Sequence, residues 1–101
     1  MRVAYFYFMK PEPERIRTVA PRHASYWQGL ALREYRGGPF ADRSGGLILF
    51  DSDSAQEAEQ LVSRDPFVHE RLLEHRWVKA WDAGAAGADD GGGARKERAE
   101  P

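Results

Sequence analysis

The chain has 101 residues, of which 42% are hydrophobic, with no cysteine and a formal net charge of −1 at pH 7. That length leaves room for one small core, and the missing thiols exclude both a disulfide framework and a thiolate metal site. As far as Trp81 there are 12 basic and 11 acidic side chains, a balance that excludes the clustered positive charge on which phosphate binding rests.

Val3 to Met9 is rich in aromatic residues and stops short of Pro11, which predicts a first strand. It is also the longest apolar run, far too short for a membrane span, and no secretory n-region, h-region and cleavage site follow one another. A cytoplasmic protein with neither membrane nor nucleic acid as partner is therefore expected. Glu12 to Val19 is charged with weak helical tendency. Pro21 disfavours helical backbone at Ala20 and suits a first helical position, so the first helix is predicted from Pro21 to about Gly29. Leu30 to Tyr35 is predicted as the second strand, leading into the turn residues Gly37, Gly38 and Pro39.

Ser44, Gly45 and Gly46 mark a further turn before a buried strand over Leu47 to Phe50. Asp53 or Ser54 can cap a helix carrying Ala55, Ala58, Leu61 and Val62 on one side, and Asp65 with Pro66 opens a short second one. Arg76 to Trp81 closes the domain as a strand. From Asp82 the composition turns to Ala, Gly and charge, which predicts a disordered, solvated tail over 82–101 beside a domain over 1–81.

The order β, α, β, β, α, β is the split βαβ pattern, so the predicted fold is α+β and ferredoxin-like: a four-stranded antiparallel sheet with both main helices on one face. In the first strand Val3, Tyr5, Tyr7 and Met9 oppose Ala4, Phe6 and Phe8, and both sets are apolar. Two apolar faces need two covers, and the helices supply one, so a homodimer is expected. The alternative is that the Tyr5 and Tyr7 hydroxyls tolerate water.

Of three histidines, His23 stands out. With the helix starting at Pro21 it falls in the first turn, where the dipole disfavours the imidazolium and leaves a ring able to accept a proton, and Trp27 lies four residues on along the same side. A partly buried histidine bonded to backbone is the alternative. Asp65 before Pro66 is a helix N-cap, with one oxygen engaged on backbone N–H and the other free to orient an imidazole. His69 and His75 read as exposed, and their spacing matches no metal motif.

Pro21-Arg22-His23, Gly38-Pro39-Phe40, Gly46-Leu47-Ile48-Leu49, Asp65-Pro66-Phe67-Val68 and the closing Val78-Lys79-Ala80-Trp81 together resemble the YCII-related domain family. The resemblance implies a dimeric α+β barrel in which a first-helix histidine and the aspartate of the DP[FY] segment line a cavity. On it, His23 and Asp65 become an acid–base pair. Tyr5, Tyr7, Arg22, Trp27, Gly38, Pro39 and Phe40 are the expected substrate-binding residues, with a plain exposed surface arginine as the alternative for Arg22. The known enzymatic example is a cofactor-independent dehydrochlorinase acting on a chlorinated hydroxyquinol. Two departures are visible: the His23–Gly38 stretch is shorter than usual, and Arg71 stands where many members carry glycine.

The expected function is thus a small enzyme of lyase or isomerase type, with no metal and no cofactor, moving a proton on a small cyclic or aromatic substrate. A non-catalytic dimeric module binding a small molecule or a protein is the alternative. An RNA-binding domain fits poorly, since Leu47 and Leu49 stand where bases would stack.

Overall fold

The computed structural model describes residues 1–82. The tail predicted over 82–101 lies, apart from Asp82, outside the described residues. The elements are β1 (Arg2–Met9), α1 (Pro13–Gly29), β2 (Arg36–Pro39), β3 (Gly45–Asp51), α2 (Ala55–Ser63), α3 (Pro66–His69) and β4 (Leu73–Ala80). They form one four-stranded antiparallel sheet in the order β2-β3-β1-β4, the ferredoxin-like arrangement the element order predicts. Among the described residues no helix is long and apolar enough to cross a membrane.

The first helix is the largest correction. It starts at Pro13, eight residues before the predicted start, and runs straight through Pro21. Proline inside a helix removes one backbone hydrogen bond and crowds a carbonyl one turn back. Here Pro21 lies on the exposed side, where water can serve the freed carbonyl, while Ile16, Val19, Ala20, His23 and Trp27 form a continuous inward stripe. Burial of that stripe outweighs the lost bond. His23 consequently sits mid-helix, and the helix-start dipole argument does not apply to it.

The second strand is also displaced. Leu30 to Tyr35 is a connector interrupted by left-handed backbone at Ala31 (φ 50°) and Glu34 (φ 54°), although Leu32 and Tyr35 still pack on the core. The sheet is instead extended by Arg36–Pro39, whose glycines and proline suit a short exposed edge. β4 begins at Leu73, so it includes His75, and its register against β1 shifts between Phe8, which pairs with His75, and Met9, which pairs with Leu73.

Other local signals are realised as read. Ser54 caps α2 by accepting from the Glu57 N–H at 3.0 Å, and Asp65 caps α3 by accepting from the Phe67 N–H at 2.9 Å. Val3, Tyr5 and Tyr7 of β1 with Ile48 and Phe50 of β3 face the helices and form the core with Trp27, Val62 and Leu72. The opposite sheet face carries Phe6, Leu47 and Leu49, half-buried, with Trp77 48% and Trp81 45% exposed. No element of the described chain packs over it.

Candidate active site

Three elements meet around one carboxylate. Asp65 ends the α2–α3 connection, β1 brings Tyr5 and Tyr7 from below, and α1 brings His23 and Trp27, four residues apart, from above. The Asp65 side chain is fully buried, and four groups donate to it. Oδ1 accepts from the Phe67 backbone N–H at 2.9 Å and from His23 Nδ1 at 2.8 Å. Oδ2 accepts from the Tyr5 hydroxyl at 2.9 Å and from the Trp27 indole N–H at 3.1 Å. The division of labour read from the sequence is therefore corrected: the capping oxygen also orients the imidazole, and the second oxygen is held by Tyr5 and Trp27.

This network assigns the histidine tautomer. A carboxylate accepts, so His23 Nδ1 carries the hydrogen, and in the neutral ring Nε2 presents a lone pair. Nε2 lies 3.4 Å from the Tyr7 hydroxyl. The imidazole stacks on Phe67, with centroids 4.2 Å apart, and meets the edge of the Tyr7 ring, so two aromatic walls fix its plane. Gly46 makes room for this: a Cβ there would collide with the Tyr7 ring. Burial, and then the Asp65 charge, push the Tyr7 hydroxyl up to about 12, so it is a neutral phenol at physiological pH. The same two causes in the same order raise Tyr5 further, which keeps it a donor to Asp65.

His23 and Tyr7 face a cavity of about 380 Å³, shared with Met9, Ile16, Ala20, Ala24, Pro39, Arg43, Gly45 and Phe67. Its wall is mostly apolar, and its polar groups are few and convergent, as in small-molecule sites. Among the described residues no cluster of three or more His, Asp or Glu side chains could hold a metal ion.

The family model for the YCII-related domain matches residues 1–82. The chain belongs to the YCII-related domain family. No curated protein matches it. Among solved structures it is similar to 5-chloro-2-hydroxyhydroquinone dehydrochlorinase from Burkholderia phenoliruptrix AC1100, in complex with 2,5-dihydroxybenzoquinone. The TM-score is 0.75 and the identity 21%, over 88% of this chain and 100% of that one. It is also similar to Rv0793 from Mycobacterium tuberculosis, at a TM-score of 0.47 and 15% identity, over 78% of this chain and 91% of that one. At 21% identity the first likeness establishes the fold.

Of the site residues expected from the sequence, His23, Asp65, Tyr7 and Pro39 converge here. Tyr5 and Trp27, expected in the wall, lie behind the pair and do not reach the cavity. Arg22 is exposed and faces Glu70 at 3.5 Å. Gly38 lies on the exposed edge strand outside the cavity wall, and Phe40 stacks on Phe8, centroids 5.4 Å apart, on the far side of the sheet. Sequence reasoning missed Ile16, Ala20 and Ala24, whose spacing with His23 becomes visible only when the helix is carried through Pro21. It also missed Arg43, which has no sequence signal beyond its place in a hairpin loop.

Proposed function

We propose that the chain is a small acid–base enzyme of lyase or isomerase type, acting on a small cyclic or aromatic substrate without metal or organic cofactor. The observation that carries this reading is the 2.8 Å contact of His23 Nδ1 with a buried, fully engaged carboxylate, which leaves Nε2 available at the cavity. In this role Nε2 takes a proton from a ring hydroxyl, the electron pair moves into the ring, and the imidazolium returns the proton to a ring carbon. A leaving group on that carbon then departs with its bonding electrons, and loss of a second hydroxyl proton completes the elimination. Asp65 stabilises the imidazolium between the two transfers and keeps the ring in register.

Such a base contributes about 10²–10⁴ in rate, so any larger acceleration rests on positioning in the cavity. The cavity volume suits a single ring, and the similar dehydrochlorinase is in complex with a single-ring quinone. A homodimer that covers the apolar sheet face belongs to the same reading, because Phe6, Leu47, Leu49, Trp77 and Trp81 otherwise meet water.

Chloride release from 5-chloro-2-hydroxyhydroquinone is the first assay, with His23→Ala expected to abolish it. Long-range ¹H–¹⁵N spectra supply a substrate-independent check, and a hydrogen on Nε2 with Nδ1 bare would overturn the assignment. The apolar wall also suits a non-catalytic binder. In that case the quinone binds, no substrate turns over, and His23→Ala alters affinity alone.

A further inference from the structure

Among the described residues that line the cavity, one carries a permanent charge, Arg43. The other ionisable groups facing that space are His23 from α1 and the neutral Tyr7 phenol from β1, while the Asp65 carboxylate lies buried behind the imidazole. Among the described residues Arg43 makes no ion pair. Its neighbour Asp42 is already engaged, accepting from the Ser44 hydroxyl at 2.7 Å and the Ser44 N–H at 3.0 Å.

The backbone holding Arg43 is specific as well. Residues 40–45 close the β2–β3 hairpin, with the Phe40 N–H donating to the Gly45 carbonyl at 2.8 Å and the Arg43 N–H to the Phe40 carbonyl at 2.9 Å. In this loop Arg43 is in left-handed backbone, φ 65°, a position that glycine or asparagine fills at less conformational cost. A long cationic side chain thus occupies a turn position suited to glycine, in a residue that lines a mostly apolar cavity and has no ion-pair partner among the described residues. A guanidinium so placed favours a ligand that brings an anion and disfavours one that covers it with neutral surface.

We propose that Arg43 is a specificity-determining residue of this site, and that its substrate is a ring carrying an anionic oxygen, either a carboxylate or an ionised hydroxyl. The guanidinium holds that oxygen while His23 Nε2 reaches another position of the ring. This inference rests on the acid–base reading of the cavity, and it names the substrate class that reading leaves open.

Two quinones of the same ring test it by titration calorimetry on the full chain. 2,5-Dihydroxybenzoquinone is a vinylogous acid and an anion at neutral pH, whereas its dimethyl ether is neutral; the chain has no cysteine to add to either. The wild-type chain is expected to bind the anion at least tenfold more tightly than the ether. Arg43→Asn, which keeps a residue tolerant of left-handed backbone, is expected to lose about ten- to a hundredfold in affinity for the anion and none for the ether. Arg43→Lys should retain part of the preference, and an undiminished melting temperature in Arg43→Asn will show that the fold is intact. If both ligands bind and shift the His23 signals but Arg43→Asn binds the anion as tightly as wild type, the inference falls and the acid–base reading stands. A wild-type preference for the ether overturns it equally. If neither quinone binds or disturbs His23, both fall together.

Discussion

Asparagine at position 65 keeps the shape of the side chain and its capacity to cap α3, yet it turns one of two acceptor atoms into a donor. Four groups point donors at this carboxylate, two on each oxygen. If the amide nitrogen takes the Oδ2 place, Tyr5 can rotate its hydroxyl to accept, but the Trp27 indole N–H can only donate and is left facing another donor. In the Oδ1 place, His23 can change tautomer, but the Phe67 N–H cannot. Either orientation strands one buried donor, at a cost of about 1–3 kcal/mol. For a domain of this size each kcal/mol lowers the melting temperature by roughly 4–8 °C, so a drop on the order of 5–20 °C is expected by circular dichroism. The cap by itself would forecast almost no change. The rate should fall as well, by about 10³–10⁴, because in both orientations the anion that stabilises the imidazolium is gone, and in one of them the tautomer that bares Nε2 also loses its partner. A melting temperature within a degree or two of wild type would show that the carboxylate is not the hub described here.

Three further perturbations read other parts of the structure. Burial raises Tyr7 from its ordinary value of 10 to about 12, so the folded chain holds this proton more tightly than the unfolded one. Its contribution, about 2–3 kcal/mol, is complete below pH 10 and lost as pH rises from 10 to about 12, and urea titrations should show a shallower loss over that window in Tyr7→Phe. Leu47→Glu places a charge on the open sheet face, and sedimentation should find a dimer in wild type and a monomer in the variant; a wild-type monomer at micromolar concentration would refute the covered face. Arg71 has φ 58°, left-handed backbone that glycine adopts freely, so Arg71→Gly should raise stability by up to about 1 kcal/mol in thermal unfolding. An unchanged or lower melting temperature would mean that the Arg71 side chain contributes more than its backbone costs.

Elements specified by near neighbours were legible in the sequence. β1 and β3 are short apolar runs between breakers, Ser54 and Asp65 cap the residues just after them, and the alternation of elements carries the sheet order with it. The His23–Asp65 pairing is legible through a family resemblance, whereas a helix start at Pro21, and with it a dipole acting on His23, is not realised. Pro21 is a local breaker, but its preference is a few kcal/mol at most, which a buried stripe can override. Leu30–Tyr35 reads as a strand leading into turn residues, whereas it is the glycine-rich segment after it that pairs with β3.

The composition of the chain and its local patterns, then, dictate which elements form, in what order, and that Asp65 caps a helix. What surrounds Asp65 depends on contacts between residues far apart in the chain. Tyr5 is 60 residues away, Trp27 is 38 and His23 is 42, and each is an ordinary core aromatic or helix residue until the sheet and α1 are packed together. The same holds for Arg43, whose loop meets the His23 face only across the cavity. Hydrophobic burial is nondirectional and can be forecast from residue type, whereas the direction of a hydrogen bond is fixed only when both partners have been brought to their places.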